Sequence, residues 1–168
     1  DYRLRGYIEE SDVLGLNLLQ HRPLMATLEI TGTSGAPVAL TIVSDSNEVM
    51  PVLENGQLTG LRVTCNVTAD LAEVQGREDV LASLSYYEEE ASRQIRMKIA
   101  NVLAQSQLLN ADFLDLGATV AQKEPVLWRQ GLKEHWKEVF PTLDIEVQVS
   151  VKVSRTYESL QTMGGPEQ

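Results

Sequence analysis

Three patterns predict an α+β fold with a mainly antiparallel sheet of about four to five strands, packed by one long amphipathic helix and several short helices. Strand-period runs gather in the first half, at Leu24–Ile30, Val38–Val43 and Leu61–Leu71. One long helical pattern follows, from Asp79 or Ser83 to Leu109. A final alternating run, Leu143–Val153, returns to strand period. Strands grouped before helices argue against an alternating parallel α/β chain.

The elements follow in order. Tyr2–Tyr7 reads as a short strand ending at Gly6. Glu9-Glu10-Ser11-Asp12 places acidic and hydroxyl groups at the start of a short helix through Leu19, which stops before Pro23. Leu24, Ala26, Leu28 and Ile30 alternate with Met25, Thr27 and Glu29. Thr31–Gly35 is a turn cluster, so this strand and Val38–Val43 form a hairpin. Glu48–Leu53 reads as a further strand, with Pro51 at an edge or bulge. Leu61, Val63, Cys65, Val67, Ala69 and Leu71 share one strand face, with polar residues between them. That alternation suits an antiparallel sheet with one wet face.

In the long helix Ala91, Ile95, Ile99, Val102 and Leu103 recur at steps of three and four, which defines a stripe for the sheet. Glu89 and Arg93 are spaced as an i,i+4 pair. Asp112 caps a short helix through Ala121, and a further helix opened near Pro125 carries Trp128, Leu132, Trp136 and Val139. Pro141 blocks its continuation.

The 168 residues make one domain over 1–160, and 161–168, with Gly164-Gly165-Pro166, are expected to be a disordered tail. The net charge of −10 disfavours nucleic acid, whose binding needs cationic contacts to phosphate. The same charge disfavours docking on anionic lipid. No apolar run reaches the ~20 residues a spanning helix needs, and no signal peptide is evident. Asp1–Arg5 reads as a cut through a longer chain.

Several short motifs then fall into a recognisable order. Leu4-Arg5-Gly6-Tyr7, Glu9-Glu10-Ser11 and Gly15–Leu19 open the chain. The long helix has Glu89, Ile95, Ile99 and Gln105, and leads to Asp112-Phe113-Leu114-Asp115-Leu116-Gly117. Pro125, Trp128, Trp136 and Phe140-Pro141 precede the strand Ile145–Val153, which ends at Arg155. This series resembles the C-terminal domain of the Ger(x)C spore germination proteins over nearly the whole chain. The resemblance implies a subunit of a germinant receptor at the extracytoplasmic face of the spore inner membrane, beside integral membrane subunits. It implies a lipoprotein needed for the response to nutrients, with no catalytic activity and no cofactor. It also implies that the lipid anchor lies upstream of residue 1, because nothing like a lipoprotein signal precedes Cys65.

Each chemistry-bearing residue also has a plainer structural role. A site on His21 and His135 would need a further ligand, and although Glu134 and Glu138 lie near His135, no HExxH or similar arrangement is present. No GxSxG elbow marks a nucleophilic serine. Cys65 sits on the apolar strand face, as a small core hydrophobe would. Glu88, Glu89 and Glu90 point in different directions on a helix and suit its solvated start. Asp112 and Asp115 could be paired acids, but capping is the simpler account. Trp128 and Trp136, eight residues or about two turns apart, share a face that either fills the core or anchors a partner. Asn66-Val67-Thr68 matches a glycosylation acceptor but falls within a strand.

These readings predict a non-enzymatic interaction domain that contacts other receptor subunits. Its surface is the polar face of the long helix, Arg93, Arg96, Lys98 and Asn101, with an exposed sheet edge. The alternatives are a domain that binds a small germinant directly, and an unclassified hydrolase.

Overall fold

The computed structural model describes residues 7–22 and 26–154. A 3-10 turn, Glu10–Asp12, opens helix α1, Val13–Leu19. Strands β1 (Thr27–Thr31), β2 (Pro37–Glu54) and β3 (Gln57–Val74) follow. Helix α2 spans Val80–Leu108. Then come α3 (Leu116–Lys123), α4 (Pro125–Leu127), a π turn (Trp128–Leu132), α5 (Lys133–Val139) and a 3-10 turn (Phe140–Thr142). Strand β4, Asp144–Ser154, ends the described chain.

The sheet order is β1-β2-β3-β4. The first two pairings are antiparallel, and β4 lies parallel to β3 from Gly60↔Asp144 to Asp70↔Ser154. The α+β class and the long helix agree with the expectation from sequence. The parallel pair is the departure in pairing: a long crossover through α2 returns the chain to the β3 edge in the same direction, as parallel strands require.

Three further expectations need correction. Glu48–Leu53 is not a separate strand but the distal part of β2, which runs on through a bulge between Ile42 and Ser44. Pro51 is tolerated because β1 pairs only with 37–41 of β2, so no strand needs a donor on the outer edge there. The helix expected from Pro125 to Val139 is broken at Gly131, whose φ of 130 lies outside the helical region. The short helix expected from Asp112 begins only at Leu116. The expected strand Tyr2–Tyr7 lies outside the described residues except for Tyr7, which is exposed, and the 161–168 tail lies outside them altogether.

The core is one layer between the sheet and α2. Leu61, Val63, Cys65, Val67, Ala69 and Leu71 of β3 are buried against Tyr87, Ala91, Ile95 and Ile99 of α2. Each Val, Leu or Ile among them contributes about 1.5–3 kcal/mol when fully buried. Asp79 fixes where α2 starts, its carboxylate accepting from the Leu81 and Ala82 N–H groups at 3.1 Å each. Helix α1 crosses α2 at Gly15, where a Cβ would stand 2.6 Å from the Lys98 carbonyl carbon. Only glycine permits that approach.

Candidate functional site: the groove between the long helix and the edge strand

Strand β4 is one edge of the sheet, and α2 lies along it. An edge strand has N–H and C=O groups with no strand partner, which natural sheets cover or exploit. Here α2 covers part of them. Glu88 Oε1 accepts from the Val153 N–H at 3.1 Å, and Ser92 Oγ accepts from the Val151 N–H at 2.9 Å. The Ser92 hydroxyl donates to the Glu88 carbonyl at 2.7 Å, which leaves its lone pairs for Val151. Lys152 Nζ closes the end of the arrangement on Glu88 Oε2 at 3.4 Å.

Beyond these contacts the edge and the helix part into a groove of about 820 Å³. Its floor is β4 from Glu146 to Lys152, and its wall is the helix ridge that carries Glu89, Arg93 and Arg96. Arg93 is held by Glu90 through two hydrogen bonds, at 2.9 and 2.6 Å. These, with a third from Gln94 at 3.1 Å, hold the Glu90 carboxyl below the usual carboxylate range. The pairing is therefore i,i+3 from Glu90, not i,i+4 from Glu89 as the spacing suggested. Arg96 is exposed and makes no ion pair among the described residues.

The structure splits the four surface residues read from the sequence. Arg93 and Arg96 line the groove. Lys98 and Asn101 turn the other way, onto α1. Lys98 Nζ donates to the Ser11 carbonyl at 2.5 Å, and Asn101 Nδ2 donates to the buried Asp12 carboxylate at 3.2 Å. Those two residues fasten the N-terminal helix.

The remaining candidates fall into structural places. Cys65 is fully buried, and burial, reinforced by the charge of Asp45, pushes its thiol up to about 11. His21 stands 3.4 Å from Asn47, whereas the exposed His135 meets Glu138 at 3.1 Å. Among the described residues no group of three or more His, Cys, Asp or Glu could hold a metal. Asp112 caps α3 from outside: Oδ1 accepts from Leu116 N–H at 2.8 Å, and Oδ2 accepts from Gly117 N–H at 2.7 Å. Its Oδ2 also accepts from the Trp136 indole at 3.0 Å. Asp115 is no second acid in that cluster but the left-handed residue before the helix, with φ 58. Trp136 packs edge-on against Trp128 at 5.5 Å and stacks on Phe140 at 5.5 Å, so the tryptophans close the core rather than stand free.

Two features escaped the sequence. The roles of Glu88 and Ser92 depend on a strand some sixty residues away, and no local pattern signals that. Glu78 ties the β1–β2 turn to α2, accepting from Ser34 N–H at 2.8 Å, Ser34 Oγ at 2.7 Å and the Tyr87 hydroxyl. Burial works against the Glu78 carboxylate, but the hydrogen bonds outweigh it and hold its pKa below the usual range. Burial and the Glu78 contact push Tyr87 up to about 12.

A sheet under one long helix, with a groove beside its β4 edge, defines an α+β domain whose candidate site is a surface. The chain belongs to the family described as Spore germination B3/GerAC like, C-terminal, whose model matches residues 1–157. It is similar to "Spore germination protein KC" of Bacillus subtilis (strain 168), with 22% identity over 159 residues, 91% of this chain and 38% of that protein. It shares a fold with the crystal structure of the GerBC protein at a TM-score of 0.74 and 20% identity, over 88% of this chain and 46% of that one. The chain thus spans less than half the length of these relatives. The family is that of germinant-receptor C subunits, involved in spore germination. No helix among the described residues is long and apolar enough to cross a membrane.

Proposed function

We propose that this domain is a non-enzymatic part of a germinant-receptor C subunit, required for nutrient-triggered germination and acting by contact with other receptor subunits. Attachment to the extracytoplasmic face of the spore inner membrane, through a lipid anchor upstream of this segment, belongs to the same reading. The observation that carries it is the groove beside β4, where exposed arginines adjoin an incompletely covered strand edge. Exposed edges and charged rims are the usual material of polypeptide recognition. Lys98 and Asn101 support the surface only indirectly, by holding α1 against α2.

The test is co-purification of the full-length protein with the other receptor subunits, for wild type and for R93E/R96E. Both residues are exposed, so the double variant should melt within a few degrees of wild type. Recovery of the partner subunits should fall about tenfold, equivalent to ~1.4 kcal/mol. Unchanged recovery would rule out this surface. Direct binding of a germinant is the competing reading. It predicts a dose-dependent rise in melting temperature with one nutrient, following RT ln(1 + [L]/Kd).

A further inference from the structure

We propose that the uncovered stretch of the β4 edge, Ile145–Val149, receives an extended, acidic segment of a partner polypeptide as a fifth strand. The inference rests on the reading of the domain as an interaction module, and names the chemistry of its partner.

The first argument is the direction of the backbone. The N–H groups of Val151 and Val153 point away from β3, because α2 side chains accept from them. Backbone direction alternates along a strand, so Val147 and Val149 aim their N–H and C=O groups the same way. No side chain among the described residues meets those two amides. Both residues line the floor of the groove. Unpaired main-chain groups in a row are satisfied best by another strand.

The second argument is the spacing of helix against strand. Four helix residues rise about 6 Å and two strand residues about 6.6 Å. Glu88 therefore meets Val153, Ser92 meets Val151, and the next step brings Arg96 level with Val149. The first two side chains accept from amides. A guanidinium has no acceptor and cannot do so. Covering thus stops at Val151 because of the side chain at position 96, and an incoming strand has about three to five residues of edge to pair with.

The third argument is charge. The covered end of the wall carries Glu88 and Glu89. The open end carries Arg96. The other groove cations are engaged, Arg93 with Glu90 and Lys152 with Glu88. In a chain of net charge −10, the open end thus presents a guanidinium without an ion pair among the described residues. It selects an acidic side chain on the incoming residue beside Val149. Val147 and Val149, half-buried on the α2 side, favour an apolar neighbour one alternation away.

The experiment is amide hydrogen exchange on the full-length protein, alone and within the co-purified receptor, together with V149P. Proline at 149 removes an outward donor that the β3 ladder does not use. Alone, the Val147 and Val149 amides should exchange fast, and Gln148 and Ser150, which face β3, slowly. In the receptor the first two should slow at least tenfold. V149P should cut partner recovery about tenfold. A fluorescent probe peptide, Val-Thr-Glu-Thr-Val, whose valines share the face of its Glu, should bind wild type, and methylation of its central amide nitrogens should weaken it at least tenfold. Val147 and Val149 amides that stay fast in the receptor overturn the proposal. So do amides that are slow in the isolated protein and become fast when residues 1–6 are deleted, since the chain itself then holds the edge. If R93E/R96E blocks assembly while V149P leaves it intact, strand addition fails and the interaction reading survives. If neither variant affects assembly, both readings fall.

Discussion

The two flanks of α2 carry similar polar residues with opposite fates. Toward α1, Lys98 and Asn101 are used up in holding the molecule together, and Gly15 brings the helices to backbone contact. Toward β4, Ser92 and Glu88 cover part of an edge, and Arg96 leaves the rest open. One helix therefore has a closed flank and an available one. Polarity at helical spacing does not separate them, because both look equally wet until the neighbouring elements are in place.

That contrast can be broken most forcefully at the closed flank. G15V drives a branched side chain into the Lys98 backbone and should destabilise by about 3 kcal/mol, read as a lower midpoint in urea. A change below 0.5 kcal/mol would mean α1 does not pack as described. N101A leaves the buried Asp12 carboxylate without its donor and should lose about 1–2 kcal/mol by the same measurement. On the groove side, S92A strands the Val151 amide. The expected loss is about 1 kcal/mol, with faster hydrogen exchange at Val151 and no change at Gln148. Arg96→Glu should shift stability by less than about 0.5 kcal/mol, and a larger loss would place it on the closed side after all.

The smallest effect distinguishes a third fastening by pH. The Glu78 carboxyl sits below its ordinary value of 4.5 in the fold. Its contribution is therefore complete above that ordinary value and is lost as pH falls through the lower folded value. E78Q should lose a small part of the stability at neutral pH, flatten the acid limb below about pH 4.5 and converge with wild type at low pH. A variant with the wild-type acid limb would show that the Ser34 and Tyr87 contacts do not bias protonation.

Much of the architecture was legible because it depends on period. The β3 face from Leu61 to Leu71 and the α2 stripe from Ala91 to Leu103 are buried as their spacing requires. Of the two starts the sequence allowed for α2, Asp79 and Ser83, the structure takes Asp79, whose carboxylate caps the helix. The groove beside β4 was not legible. Arg93 and Arg96 line the groove, but Lys98 and Asn101, nearly indistinguishable from them by pattern, do not. Gly131 shows the same limit: the Trp128–Trp136 spacing survives a helix break that spacing alone cannot reveal.

By itself the sequence determined the class of fold, the buried stripes and the order of motifs that mark the family, because these follow from local propensity and periodicity. Tertiary structure alone decided that β4 runs parallel to β3, that Glu88 and Ser92 cover its amides, and that the cover ends at Arg96. Those outcomes depend on which distant backbone groups a side chain meets, and that proximity is written in no single stretch of the chain.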